Sequence, residues 1–188
     1  MLMTTMTFDN TLFETLHRTE DWKYTNVSAL SKVDFVDGTQ VDAVEIEAFD
    51  LAVNNPFVVL VNGVFNEAAS RLVDGIEIAA NNTGALASRS NSLIPRGVSD
   101  ALTISGAHEH TIHVLQLVTG DSPVACYGNV RIHAGEGEKL SIAETHVALG
   151  DQNHLFLPCT EVVAEKNSAV TLVRAIRGSK QAYHLGSL

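Results

Sequence analysis

The chain has 188 residues, of which 45% are hydrophobic, and this is enough to bury one sizeable core or a small domain beside an elongated one. Twelve Lys and Arg residues against 22 Asp and Glu give a formal net charge of -10, which disfavours nucleic acid and anionic membranes as partners. No apolar run approaches the roughly 18 residues that span a bilayer, and no secretory signal pattern opens the chain. The sequence therefore predicts a cytoplasmic protein, and an organellar location stays open if a transit peptide is missing.

The N-terminal part predicts one short amphipathic helix, because Phe8, Leu12, Phe13 and Leu16 recur at helical spacing. A polar stretch at residues 20–25 follows and surrounds the only tryptophan of the chain. Its aromatic side chains could bind a partner or could anchor the helix to its own domain, and both interpretations stay open at this point.

The next part of the chain predicts short strands and hairpins, because alternating β-branched residues between 33 and 64 contain an Asn62-Gly63 turn signal. Residues 81–92 are rich in Ser, Asn, Thr, Gly and Ala, have little to bury, and are typical of a linker. This organisation predicts two regions: an N-terminal region with a short helix and strands at 1–95, and a β-rich core at 96–188.

An internal repeat is the most informative feature of the second region. Residues 130–144 superimpose on residues 102–116 at an offset of about 28, and on residues 160–174 at an offset of about 30. Each copy contains a short strand, a polar turn and a longer alternating strand, so one apolar face is rebuilt in every copy. This predicts a mainly β fold, a parallel β-helix (β-solenoid) with at least two strands per turn. The predicted columns are Ile112, Leu140 and Val170; Val114, Ile142 and Leu172; and the polar column His113, Ser141 and Thr171.

A further column of the repeat contains Gln116, Glu144 and Arg174. In this register Glu144 and Arg174 lie on neighbouring strands, which are about 4.8 Å apart in a sheet. The repeat therefore predicts a salt bridge between them. The alternative is two solvated surface charges that do not meet.

His108 and His110 support a competing hypothesis. Two histidines at i and i+2 on a strand point to the same side and can bind one metal ion, as in the His-x-His element of cupin enzymes. The cupin motif continues with a glutamate, but Val114 and Leu115 stand at those positions. In the repeat alignment the two histidines match polar residues of a turn. A small metal-dependent, cupin-like enzyme and a solvated surface turn are therefore the two interpretations of this pair.

The two cysteines, Cys126 and Cys159, form no CxxC motif and predict no disulfide framework. Cys126 is predicted to be a small buried hydrophobic residue, and Cys159 is a candidate iron ligand. The remaining histidines are scattered, and no nucleotide-binding glycine motif occurs in the sequence.

Three regions of the sequence resemble the SufD proteins of the SufB/SufD family. Residues 20–25 (EDWKYT) are similar to the family's N-terminal signature, residues 61–65 (VNGVF) and 70–72 (SRL) to a second motif, and the repeats at 112–115 and 140–144 to successive turns of its core. The residues that carry the two signatures are Glu20, Trp22, Lys23, Tyr24, Thr25, Asn62, Gly63 and Phe65.

This resemblance implies a right-handed parallel β-helix that follows a short N-terminal helical, α+β region. It also implies a non-catalytic scaffold of the SUF iron-sulfur cluster assembly complex, acting with SufB-like proteins and the SufC-like ATPase. No cofactor is then expected to stay bound to this chain, because the complex handles the iron-sulfur cluster.

The chain departs from the family pattern at its C-terminal end. It stops at Leu188, within the expected solenoid, and so resembles a C-terminally truncated form. The family's SufC-docking helices and its iron-linked histidine match no position here. An uncovered last turn would expose unpaired backbone groups, which predicts self-association through the β-helix unless a partner covers that end.

Overall fold

A computed structural model describes residues 11–38, 46–50, 54–82, 101–106 and 109–188. The described part is mainly β, and its sheets are parallel or mixed. Phe8 and His108 lie outside the described residues, as does the predicted linker at 81–92 except for its first two residues.

The N-terminal part folds into short helical segments, four of which pack on one sheet, while Phe49 of the fifth packs against strands of another. Phe13 and Leu16 are three residues apart, so they share one helical face, and both are buried. They contact Ala125 and Leu155 of the sheet, and Trp22 packs against the same cluster. The helical segments are the α-helix α1 (Leu12–Thr15) and the 3-10 helices Leu16–Arg18, Glu20–Trp22, Ser28–Lys32 and Glu47–Phe49.

Three β-sheets form most of the described structure. Sheet A contains β1 (Val36–Asp37), β7 (Val124–Cys126), β10 (Leu155–Phe156) and β13 (Tyr183–His184). Sheet B contains β2 (Phe57–Val61), β3 (Val64–Phe65), β6 (Ile112–Val118), β9 (Lys139–Ala148) and β12 (Ala169–Arg177). Sheet C contains β4 (Glu77–Asn82), β5 (Ala101–Ser105), β8 (Asn129–Ala134) and β11 (Cys159–Ala164).

From β5 onward the chain passes through sheets C, B and A in the same order three times. Equivalent strands of successive passes pair in parallel, so that Val130 lies between Leu102 and Thr160, and Leu155 lies between Ala125 and Tyr183. Each pass therefore stacks on the preceding pass. The two antiparallel strand pairs, β2 with β3 and β4 with β5, lie at the start of sheets B and C.

The main core lies between sheets B and C. Its side chains come from alternate positions of successive strands, because residues two apart on a strand face the same side. The apolar face that the repeat predicts is confirmed as this core, and its buried members include Val114, Val130, Ile132, Leu140 and Ile142.

The predicted register between the first two copies of the repeat is wrong by two residues in the long strand. Ile112 pairs with Ile142 and not with Leu140, and His113 pairs with Ala143. The cause is the turn that precedes the long strand, which is two residues shorter in the first pass than in the second, since Ser105 still pairs with His133. A two-residue shift keeps every side chain on its face, so alternation alone could not detect it.

The register between the second and third copies is confirmed. Leu140 pairs with Val170, Ser141 with Thr171 and Ile142 with Leu172. The regions predicted at 1–95 and 96–188 share sheets, because β2 pairs with β6 and β1 with β7.

His154 connects two passes, and its hydrogen bonds define its protonation state. Its Nδ1 accepts a hydrogen bond from the Val124 backbone N–H at 3.1 Å, so the proton sits on Nε2, which donates to the Leu149 carbonyl at 3.1 Å. His154 is fully buried. Burial lowers the pKa of His154, against a smaller opposite effect of the Leu149 carbonyl.

We expect this histidine to make the fold sensitive to acid. The pKa of His154 in the folded state lies below the unfolded value of about 6.5, so the stability that the neutral ring contributes is complete above that unfolded value. This stability is lost as the pH falls from the unfolded pKa toward the folded pKa. Urea unfolding at pH 7.5 and pH 5 should show a steeper loss of stability in the wild type than in His154→Asn, which keeps an acceptor but cannot titrate. Equal pH dependence in both proteins would contradict this role, and the variant His133→Gln, at a partly exposed histidine, serves as control.

Candidate functional site

A buried polar cluster interrupts the apolar inner face of sheet B. Leu140 and Ile142 of β9 continue the core, but the next two positions on the same face are Glu144 and His146. Both side chains are about 1% exposed. Burying a carboxylate is unfavourable unless it is paired and hydrogen-bonded, so the surroundings of Glu144 determine what this cluster can do.

Glu144 is fully engaged by its neighbours. Its Oε2 accepts a hydrogen bond from Arg174 Nε at 2.9 Å and forms an ion-pair contact with Arg174 Nη2 at 2.8 Å. Its Oε1 accepts from the Gln116 amide at 2.6 Å and from the Thr160 hydroxyl at 3.0 Å. The Thr160 hydroxyl in turn accepts from Arg174 Nη2 at 2.6 Å. The contacts join three strands, β6, β9 and β12 of sheet B, to β11 of sheet C.

The pKa of Glu144 reflects this balance. Burial alone would raise it, but the contacts with His146 and Arg174 outweigh burial and lower the pKa of Glu144 to about 2. The carboxylate is therefore ionised at neutral pH, and its acceptor positions are occupied. A group in this state stabilises a structure better than it accepts a proton from a substrate.

Two histidines extend the cluster toward the surface. His146 Nε2 lies 3.0 Å from Glu144 Oε1, and His146 Nδ1 lies 2.7 Å from His184 Nε2 on β13. The two rings stack with centroids 5.0 Å apart, and Phe156 contacts both. Burial, with smaller effects of His146 and Arg174, lowers the pKa of His184 to about 4. His184 is thus neutral at pH 7.

A small pocket opens beside the histidine pair. Its cavity of about 20 Å³ is large enough for a water molecule. His146, His184, Tyr183, Ile176 and Arg177 are among the residues that line it.

The structure places the predicted Glu144–Arg174 pair at the centre of this cluster. The two residues are register partners on β9 and β12, as the repeat predicts, and the pair is buried rather than solvated. Gln116 is not their register partner, because it pairs with His146, yet its side chain still reaches Glu144 diagonally. His146, His184 and Thr160 were not predicted. One signal in the sequence pointed to His146. It follows Glu144 by two residues on a predicted strand, so the two side chains lie on the same face.

Of the three predicted metal candidates, His110 and Cys159 lie in the described part of the chain. His110 is exposed and lies 3.6 Å from Glu109, and His108 is outside the described residues. Cys159 is half-buried beside Ala101. Within the described ranges, no group of three or more His, Cys, Asp and Glu side chains could hold a metal ion. Cys126 is a buried free thiol, as predicted, and burial raises its pKa.

The N-terminal signature residues divide into buried and exposed positions. Trp22 packs against the N-terminal cluster, which is the anchoring role considered above, whereas Tyr24 is 90% exposed. Lys23 forms an ion pair with Glu20 and lies over the ring of Tyr24. Thr25 is exposed beside them, on the same open surface as Lys23 and Tyr24.

The second signature has a structural explanation. Asn62 and Gly63 form the tight turn between β2 and β3, with φ of 51° and 80°. Two positive φ values are the requirement of the hairpin turn that prefers Asn-Gly. Asn62 also accepts a hydrogen bond from the Thr119 backbone N–H at 2.9 Å, and Phe65 packs on the main core.

No helix in the described ranges is long and apolar enough to cross a membrane. No family model and no curated protein matches this chain.

Proposed function

We propose that this chain is a non-catalytic scaffold of the SufD type, built as a right-handed parallel β-helix. In this proposal it acts with SufB-like and SufC-like proteins in the assembly of iron-sulfur clusters. The threefold passage through sheets C, B and A supports the β-helix. Its right-handedness is expected because crossovers between parallel strands are right-handed in nearly all proteins. The similarity of residues 20–25 and 61–65 to the SufD signatures supports the family. In the structure Trp22 of the first signature anchors the N-terminal segments, and Asn62-Gly63 of the second form a tight turn.

The observation that carries the proposal is the free edge of sheet B. The strand order of this sheet is β12, β9, β6, β2, β3, so β12 is an edge strand of the described structure. It is nine residues long and carries Val173, 62% exposed, and Ile176, 54% exposed. By contrast, every residue of β2 and β6 is buried.

A long edge strand with exposed apolar side chains is a template for a strand from another chain. Backbone hydrogen bonds would extend the sheet, and the apolar side chains would be covered at the same time. The charged residues that commonly protect edges are present at Arg174 and Arg177, but Arg174 is turned inward to Glu144. A SufB-like β-helix is the partner that we propose for this edge, and a second copy of the chain is the competing occupant.

Two substitutions on opposite edges of sheet B test this proposal. Val173→Lys adds a charge to the free edge on β12, and Val64→Lys adds the same charge at the opposite edge, where Val64 is 41% exposed. Both sites are exposed, so both variants should fold. In co-purification with SufB-like and SufC-like proteins, the wild type and Val64→Lys should form a stoichiometric complex, whereas Val173→Lys should bind at least tenfold more weakly.

Failure of the wild type to bind either protein would contradict the scaffold proposal. Equal binding of the two variants would place the partner away from β12. Light scattering of the chain alone would identify self-association at the same edge, because that too should be lost in Val173→Lys and kept in Val64→Lys. The cupin-like alternative stays a prediction that no observation favours, since no group of three or more His, Cys, Asp and Glu side chains in the described residues could hold a metal ion.

A further inference from the structure

We propose that His146 and His184 form a binding site for a first-row divalent transition metal ion, with Zn²⁺ and Co²⁺ as representatives. This inference goes beyond the scaffold function and does not depend on it. It starts from the 2.7 Å distance between His146 Nδ1 and His184 Nε2. Two imidazole nitrogens at this separation share one proton. A metal ion can replace the proton when the pair opens, since two nitrogens at about 2.0–2.1 Å from a tetrahedral zinc ion lie about 3.3 Å apart.

The second nitrogen of His146 lies beside a carboxylate, as in many metal-binding histidines. His146 Nε2 is 3.0 Å from Glu144 Oε1, although the contact lacks the alignment of a hydrogen bond. The negative charge of the carboxylate favours a proton on Nε2, which leaves the Nδ1 lone pair facing His184. Glu144 is itself held by Arg174 and Thr160, so the first ligand is oriented by a rigid network.

His184 supplies the second ring nitrogen. Because His146 Nδ1 accepts, the proton of the pair lies on His184 Nε2, and binding of a metal ion requires the tautomer of His184 with its proton on Nδ1. The contact with Phe156 and the stacking on His146 limit rotation of the ring.

The small pocket supplies access to the pair. It is lined by both histidines and has room for about one water molecule, which can occupy a coordination position that the two protein ligands leave open. Two imidazoles favour Zn²⁺, Co²⁺, Ni²⁺ or Cu²⁺ over the oxygen-seeking Mg²⁺ and Ca²⁺. Arg177 also lines the pocket, and its charge should keep the affinity moderate.

The test is a Co²⁺ titration of the full chain, purified without an affinity tag and freed of metal with EDTA. Calorimetry and the visible absorption of Co²⁺ should report one bound equivalent for the wild type. His184→Gln, at a half-buried site, should weaken binding at least tenfold. His133→Gln, at a histidine of β8 that contacts Glu165, and His108→Ala/His110→Ala should both bind as the wild type does.

Several outcomes would overturn the proposal: no Co²⁺ bound to the wild type, unchanged binding in His184→Gln, or loss of binding in His108→Ala/His110→Ala. Circular dichroism checks that each variant is folded. A measurement on the wild type needs no variant: substoichiometric Cu²⁺ should broaden the ring proton signals of His146 and His184 before those of His133. Broadening of His133 first would place the ion elsewhere. If His184→Gln loses Co²⁺ binding but still binds a SufB-like protein, the metal site and the scaffold function are independent of each other.

Discussion

Replacing Arg174 by methionine should lower the free energy of unfolding by about 3–5 kcal/mol, because it leaves the Glu144 carboxylate buried without its cation. Glu144 is about 1% exposed, and Arg174 holds it with one hydrogen bond from Nε and an ion-pair contact from Nη2. Methionine keeps much of the length and volume of arginine, so the variant tests the charge more than the packing. Urea unfolding monitored by circular dichroism gives the free energy directly.

Two further variants make this result specific. Arg177→Met removes a charge from an exposed position on the same strand and should change the stability by less than about 0.5 kcal/mol. Glu144→Gln combined with Arg174→Met removes both charges and should recover a large part of the loss, since no buried ion is left unpaired. If Arg174→Met were as stable as Arg177→Met, the buried ion pair would not stabilise the junction of β9, β12 and β11.

Replacing Gly63 by alanine should destabilise the fold by about 2–5 kcal/mol, since positive-φ strain and overpacking act together. Gly63 has a φ of 80°, and a Cβ atom there would lie 2.1 Å from the Tyr127 carbonyl oxygen. That oxygen belongs to the backbone, so the neighbour cannot relieve the contact by rotating a side chain. This turn connects β2 to β3 and lies against the segment between β7 and β8.

Gly137 provides the matched control for this substitution. Its φ of 78° is nearly the same, but no atom lies within 4 Å of the position of an added Cβ. Gly137→Ala should therefore show the backbone strain alone, about 1–2 kcal/mol. The difference between the two variants isolates the close approach to Tyr127. Equal losses in thermal or urea unfolding would mean that strain alone, and not this contact, determines the need for glycine at position 63.

The repeat could be predicted because the sequence shows two simple patterns: apolar and polar residues alternate along each strand, and the strands recur with a period of about 30 residues. Those signals place Ile142 and Leu172 in one core and bring Glu144 next to Arg174, as the structure shows. They could not place Ile112, because a turn shorter by two residues preserves the facing of every side chain.

The histidine pair shows where the sequence lacks information. His146 and His184 are 38 residues apart, and they lie on different sheets whose relative position depends on the corners between strands. Alternation fixes which side of a strand a residue faces, but it does not fix how two sheets meet. Contacts within one sheet, such as Glu144–Arg174, are therefore predictable from a repeat, and contacts between sheets are not.

Hydrogen-deuterium exchange on β12, with and without a SufB-like partner, tests the scaffold proposal most directly. The backbone N–H groups of residues 169–177 that face away from β9 have no strand partner in the described structure and should exchange quickly in the isolated chain. We expect these amides to become protected in the complex, while those of β3 at the opposite edge do not change. Stable complex formation without added protection on β12, or the absence of any complex, would contradict a scaffold that binds through this edge.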